Sequence, residues 1–135
     1  MKTTLLNKLV RQAAAARRRA YAPYSQYRVG AAALTASGLV FQGCNVENAS
    51  LGLTICAERV ALAAAITAGY RRCQALAIVG DNQPTPYPCG ACLQFMAEFC
   101  RADCPILLAT AGRLTKVQVY SLKDLLPKAF RLTRK

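Results

Sequence analysis

Two short cysteine-bearing segments constrain this chain more than any other feature: Cys56-Ala57-Glu58-Arg59, and, after a long gap, Pro88-Cys89-Gly90-Ala91-Cys92. The chain has seven cysteines and no histidine, so a metal site must be built from sulfur and carboxylate. Three thiol ligands leave a zinc ion a fourth position for water. A carboxylate beside that water can take up and pass on its proton. Both segments read as helix starts. Cys56 opens a run of strong helix formers that reaches Ala68 and stops at Gly69, while Cys89 follows Pro88 and precedes Leu93, Met96, Ala97 and Phe99 at helical spacing. A helix N-terminus offers free N–H groups and partial positive charge, which favour the thiolate that zinc binds. Cys89 and Cys92 share one helix face. Glu58, two residues past Cys56, lies near the metal without sharing the direction of Cys56. The fold must therefore set two distant helix starts side by side.

Taken alone, Cys89-x-x-Cys92 could be a redox pair or half of a structural zinc knuckle. Cys56 has no Cys or His close by in sequence, which favours an open, catalytic site with one zinc per chain. Cys44, Cys73, Cys100 and Cys104 remain. Cys100 and Cys104 are four apart and could in principle bind metal, but all four read as small, buried or half-buried residues. Closely spaced cysteines in a chain without an apolar leader over Met1–Leu6 suggest metal rather than disulfides, with the cytoplasm as the default compartment.

The bulk properties exclude some classes. With 54% hydrophobic residues in 135, disorder is not expected, and no run of eighteen apolar residues is present to span a membrane. The net charge of +12 would suit a nucleic-acid partner. However, the charge is dispersed. Arg17-Arg18-Arg19 is its densest cluster, Arg131, Arg134 and Lys135 sit in a tail, and no aromatic residues interleave with them as strand stacking requires. The reading is a solvated basic surface, with no specific nucleic-acid or membrane partner.

Along the chain, Thr3–Ala20 reads as a helix. A hairpin follows, with strands Val29–Leu34 and Leu39–Cys44 about a Ser37-Gly38 turn, and then a polar loop Asn45–Ser50. The Cys56 helix, a strand Ala75–Val79, the Cys89 helix to about Cys100, and strands Ile106–Ala109 and Lys116–Tyr120 come next. Ser121 can cap a short helix before Pro127 and a basic tail. The expectation is one domain over residues 1–135, of α/β class: a three-layer α/β/α arrangement around a five-stranded mixed sheet.

Several segments together resemble the small cytidine deaminases of the homotetrameric, three-cysteine zinc type. They are Ala22-Pro23-Tyr24-Ser25, Val29-Gly30-Ala31-Ala32, Gly43-Cys44-Asn45-Val46-Glu47-Asn48-Ala49, the two cysteine segments, and Leu125-Leu126-Pro127-Lys128-Ala129-Phe130. The resemblance covers about Tyr21 to Phe130. It implies that Cys56, Cys89 and Cys92 hold Zn²⁺, that Glu58 shuttles protons, and that an activated water attacks C4 of a cytosine ring to give uridine or 2′-deoxyuridine. It further implies that Asn45 and Glu47 grip the ribose, that the Ala57 backbone helps hold the base, that Tyr27 lies near the nucleoside, and that Phe130 enters a neighbouring subunit's site in a homotetramer.

Arg59 is similar to the family residue that donates to the metal-bound sulfurs. Three thiolates around Zn²⁺ leave one excess negative charge, which would make bound water less acidic, and a guanidinium offsets it. Two positions depart from the family: Leu51 stands where an aromatic is common, and Tyr27 where Phe is common. Leu51 is expected to weaken nucleoside binding. Three other readings are compatible with parts of the sequence. A deaminase of a nucleoside analogue or nucleoside antibiotic would keep the zinc residues and change the pocket. A polynucleotide-editing deaminase would use the positive charge but needs an open groove, which Glu47 near a 3′-oxygen opposes. A non-catalytic zinc module would hold metal and turn over nothing.

Overall fold

The structure, a computed structural model, describes residues 2–134. Helix α1 (Thr3–Arg17) buries Leu9, Val10, Ala13, Ala14 and Ala16. It ends three residues before the expected Ala20, because Arg18, Arg19 and Ala20 bond to carbonyls three residues back and tighten the chain into a turn. Strands β1 (Val29–Thr35) and β2 (Val40–Cys44) form the expected hairpin. Gly38 sits in its turn at φ +94°, a backbone region that suits glycine. A 3-10 turn at Leu51–Leu53 precedes α2 (Ala57–Thr67). Then follow β3 (Cys73–Gly80), α3 (Gly90–Phe99), β4 (Pro105–Thr110), β5 (Gln118–Ser121) and α4 (Leu122–Leu125). Ser121 caps α4 in a reciprocal box with Asp124, as its position suggested.

The sheet order is β2-β1-β3-β4-β5, with β3 and β4 parallel and every other pair antiparallel. Alternation along the strands divides the core. Ala32, Leu34, Ala77, Val79 and Leu107 face α1. Ala31, Ala33, Leu76, Ile78, Ile106 and Leu108 face the side covered by α2, α3 and α4. The layers are thus helix, sheet, helices, as expected for the α/β class.

Two glycines let the helices approach the sheet from opposite sides. A Cβ on Gly30 would lie 2.0 Å from the Ala13 carbonyl oxygen of α1. A Cβ on Gly43 would lie 2.4 Å from the Ala61 amide nitrogen of α2. The alanines of α2 serve this same approach. Ala57, Ala61 and Ala65 are buried within the chain, while Ala63 on the same helix and Ala68 at its C-cap are exposed.

Asp81, at the end of β3, ties the layers together. Its carboxylate accepts from the Arg17 guanidinium at the end of α1, from the Arg28 backbone N–H at 2.7 Å, and from Arg28 Nε at 3.2 Å. Burial alone would raise this carboxyl, but the Arg28 backbone N–H and the two guanidinium groups outweigh it and hold it below the ordinary aspartate value. A depressed carboxyl contributes stability above the unfolded-state value and loses it as pH falls through the folded value. Asp81→Asn is expected to lower Tm at pH 7 by about 3–4 °C, corresponding to roughly 1 kcal/mol in a chain of this size. It should also flatten the acid-side loss of Tm. Melts from pH 7 to pH 3 check both; an unchanged acid limb would remove Asp81 as its source.

Candidate functional site

The two cysteine segments meet as the sequence required. Cys56 is the N-cap of α2 and Cys89 the N-cap of α3, with Cys92 one turn in. The helices therefore begin one residue after each expected start, which leaves both cap cysteines in extended backbone with their thiols turned to the gap between the helix ends. The sulfurs of Cys56, Cys89 and Cys92 all lie within 4.8 Å of one another. Those of Cys89 and Cys92 are 3.6 Å apart. Cys92 is buried, Cys56 half-buried and Cys89 exposed. Three soft sulfur donors at this spacing, with no fourth protein ligand in the group, can hold a zinc ion with a position left open.

The electrostatics favour a thiolate here. The neighbouring Cys92 thiol favours the Cys56 thiolate, and Arg59 approaches it as well, so Cys56 falls to about 5 despite partial burial. Cys92 is displaced upward, by the same contact with Cys56 and by burial. Arg59 Nη2 lies 3.6 Å from the Cys56 sulfur and 3.4 Å from the Thr54 carbonyl oxygen. Contact with the Cys56 sulfur raises the guanidinium above its ordinary value. Glu58 is only 5% exposed, and burial pushes its carboxyl up to about 7, with the nearby Cys56 adding to the effect.

These groups border a cavity of about 230 Å³ whose walls include Tyr27, Asn45, Cys56, Ala57, Glu58 and Cys89. Val29, Thr54, Ile78, Pro86 and Tyr87 complete it. Tyr87 was not anticipated. Its signal was its place two residues before Cys89, in Pro86-Tyr87-Pro88. Its hydroxyl lies 3.2 Å from those of Tyr120 and from Gln118 Oε1, which stands the ring at the cavity edge. Tyr27 turns its own hydroxyl away from the cavity, donating to the Asn82 and Pro84 carbonyls at 2.8 and 3.1 Å. Its ring fills the space that a side chain at position 80 would occupy, since a Cβ on Gly80 would lie 2.1 Å from the Tyr27 hydroxyl.

The remaining expected residues divide. Asn45 is 9% exposed and braces the entry to β1, its Oδ1 accepting from the Val29 N–H at 2.8 Å and its Nδ2 donating to the Tyr27 carbonyl at 3.0 Å. One amide hydrogen and one lone pair remain for a ligand. Glu47 does not line the cavity in this chain. Its carboxylate accepts from the Tyr24 and Ser25 N–H groups at 2.9 and 3.1 Å and from the Ser25 hydroxyl, which hold it ionised. Leu51 is 74% exposed on the 3-10 turn, and Phe130 is 68% exposed beside α3, where its carbonyl accepts from Gln94 at 2.9 Å. Neither lines the cavity.

Known proteins with this arrangement can be compared directly. The family model described as "Cytidine and deoxycytidylate deaminase zinc-binding region" matches residues 3–108. The cytidine deaminase of Halalkalibacterium halodurans is 48% identical over 123 residues, covering 90% of this chain and 91% of that one. The cytidine deaminase of Sporosarcina psychrophila is 41% identical over 125 residues, covering 93% and 90%. Among solved structures, the crystal structure of cytidine deaminase from Burkholderia pseudomallei matches with a TM-score of 0.86 and 48% identity, over 96% of this chain and 100% of that one. Because the family match runs from α1 into β4 and takes in both cysteine segments, the chain belongs to the cytidine and deoxycytidylate deaminases, a family of zinc-dependent hydrolases.

Proposed function

We propose that this chain hydrolyses the exocyclic amine of cytidine and 2′-deoxycytidine, releasing ammonia and leaving uridine and 2′-deoxyuridine, as a pyrimidine-salvage enzyme of the cytoplasm. The observation that carries the reading is Glu58, a carboxyl buried beside three clustered thiols on the wall of the cavity, which burial raises above the ordinary carboxylate range. Adding water to a ring and expelling an amine requires a group that takes up and gives back protons near neutral pH. Cys56, Cys89 and Cys92 would hold zinc, whose contribution when bound is a water acidic enough to act as nucleophile at neutral pH.

Glu58 would accept a proton from the attacking water on its carboxylate and deliver it to N3 of the base, which makes C4 electrophilic toward the water oxygen that bonds to it. It then moves a proton to the exocyclic nitrogen, so that ammonia leaves as the C4 carbonyl forms. One water enters and one ammonia departs. Arg59 offsets the surplus negative charge of three thiolates. The Ala57 N–H, in the first turn of α2, has no acceptor within its helix and is available to hold the base. Asn45, on the cavity wall, would hold a ribose hydroxyl, and Glu47, which lies outside that wall, would act on a hydroxyl that reaches beyond it. The fixed negative charge of Glu47 disfavours a 3′-phosphate, which supports a nucleoside over a polynucleotide despite the +12 charge.

Glu58→Gln keeps the shape of the side chain and removes its proton transfer. It is expected to retain zinc while kcat on cytidine falls at least about a hundredfold. Ultraviolet assay beside elemental analysis checks this; near-wild-type turnover would defeat the mechanism. The same assay with cytidine, 2′-deoxycytidine, deoxycytidylate and an oligonucleotide tests the substrate reading. Cys89→Ala is expected to lose the zinc of this site and to melt earlier, since metal binding and folding are linked.

The apolar exposure supports a homotetramer. Leu125, Leu126 and Ala129 pack against the core, and Arg131 Nη1 donates to the Ala97 carbonyl at 2.6 Å, so the C-terminal segment is pinned along α3 with Phe130 turned outward. Leu51 and Leu53 are exposed as well. Covering a phenylalanine contributes roughly 1.5–3 kcal/mol, or about tenfold to a hundredfold in binding. If Phe130 completes a neighbour's pocket, Phe130→Ala should raise KM for cytidine by about that factor. Light scattering on the wild type, beside kinetics on the variant, checks it. A fully active monomer, or unchanged kinetics in Phe130→Ala, would end the shared-site reading.

A further inference from the structure

The cysteines left over by the first site are not scattered. The sulfurs of Cys73, Cys100 and Cys104 lie within 4.8 Å of one another, and all three residues are buried. They come from three places. Cys73 begins β3, Cys100 caps the C-terminus of α3, and Cys104 precedes β4. Cys73 and Cys100 are backbone neighbours in a parallel bridge. The turn that bonds the Cys104 N–H to the Arg101 carbonyl at 3.0 Å brings the third sulfur back to them. That turn is itself pinned, because the Leu122 N–H donates to the Cys104 carbonyl at 3.0 Å and the Lys123 N–H to the Ala102 carbonyl at 2.8 Å. The reading of these cysteines as small, buried residues holds for all three, and the fold adds Cys73 to the Cys100 and Cys104 pair that the sequence spacing showed. Elsewhere this sheet fills small buried positions with alanine, at Ala31, Ala32, Ala33, Ala75 and Ala77. At this one point it places three thiols.

We propose that Cys73, Cys100 and Cys104 form a second metal site, structural rather than catalytic, for a thiophilic closed-shell cation, Zn²⁺ or Cu⁺. The donor set is all sulfur, which selects soft ions over calcium or magnesium. Asp103, the acidic residue closest in sequence, is 80% exposed and paired with Arg101 at 3.5 Å, so it supplies no hard ligand. A cavity of about 280 Å³ lined by Arg72, Cys73, Phe99, Arg101, Asp103 and Cys104 adjoins the cluster. It provides an entry path and room for a solvent molecule as a fourth ligand to zinc. The site is separate from the first: the two clusters cap opposite ends of α3, about 15 Å apart along a ten-residue helix. A metal here would staple β3, α3 and the β4 entry together, and so fix the helix whose other end carries Cys89 and Cys92.

The test is metal content of the intact protein, purified anaerobically under reducing conditions after expression with added zinc. The expected result is a second zinc equivalent per chain in the wild type. It should be lost in Cys100→Ala and in Cys104→Ala, and retained in Cys89→Ala. Co²⁺ titration of the wild type gives a readout that needs no variant: thiolate-to-cobalt absorption should keep rising through a second equivalent. Where zinc stops at one equivalent, Cu⁺ titration against a colorimetric chelator must show uptake that Cys100→Ala abolishes. The proposal is overturned if neither ion exceeds one equivalent while all three thiols alkylate as free groups. It is equally overturned if mass analysis finds a disulfide among them. Zinc content and absorption are read without turnover, so failure of this site is distinguishable from failure of the proposed deamination.

Discussion

Everything at the functional site depends on how closely α2 can lie against the sheet. A side chain at position 43 would strike the backbone of α2 at Ala57 and Ala61, so the absence of one sets the height of that helix. The height of α2 in turn decides where its cap residue, Cys56, meets Cys89 and Cys92 at the start of α3. The small residues Ala57 and Ala61 on the helix and Ala31 and Ala33 on β1 are the other half of the same contact. A metal site with three ligands from two helices tolerates little displacement, so the packing of small residues bears directly on the chemistry.

The same approach also buries Glu58. It sits in the first turn of α2, on the face that carries Ala57, Ala61 and Leu62 inward. Burial is what raises its carboxyl toward neutrality, and Cys56 reinforces the effect. The first turn of α2 thus brings together the Cys56 thiol at its cap, the buried Glu58 carboxyl two residues on, and Arg59 against the Cys56 sulfur. The opposite wall is built differently. Tyr27 and Asn45 are fixed by loop carbonyls and by the entry to β1, and Tyr87 stands on a tyrosine pair. A wall of loops braced by individual hydrogen bonds can vary in detail while the helix side remains fixed.

Much of the fold was legible because periodicity was clear where it mattered. The hairpin about Gly38, the apolar strand within Cys73–Gly80, and the two cysteine-started helices were read from spacing and breakers alone. Errors fell at the ends. Helix α1 stops at Arg17 because local i−3 bonds turn the chain, a choice that composition does not encode. The last strand begins at Gln118 rather than Lys116, since pairing with β4 starts only where Leu108 meets Gln118. Tyr87 was missed because an aromatic between two prolines reads as loop until the cavity it borders is known.

The sequence by itself set out the candidate chemistry: three cysteines and a carboxylate whose types and short spacings place them at two helix starts where a soft metal could be held. It also determined the α/β class, through alternating strands and amphipathic helices. Only the tertiary structure decided which residues distant in sequence become neighbours. Glu47 is held by Tyr24 and Ser25, Phe130 faces outward from α3, and Cys73 joins Cys100 and Cys104 across a parallel bridge. The physical reason is that periodicity fixes the face on which a side chain emerges, whereas strand order and helix docking fix what that face meets.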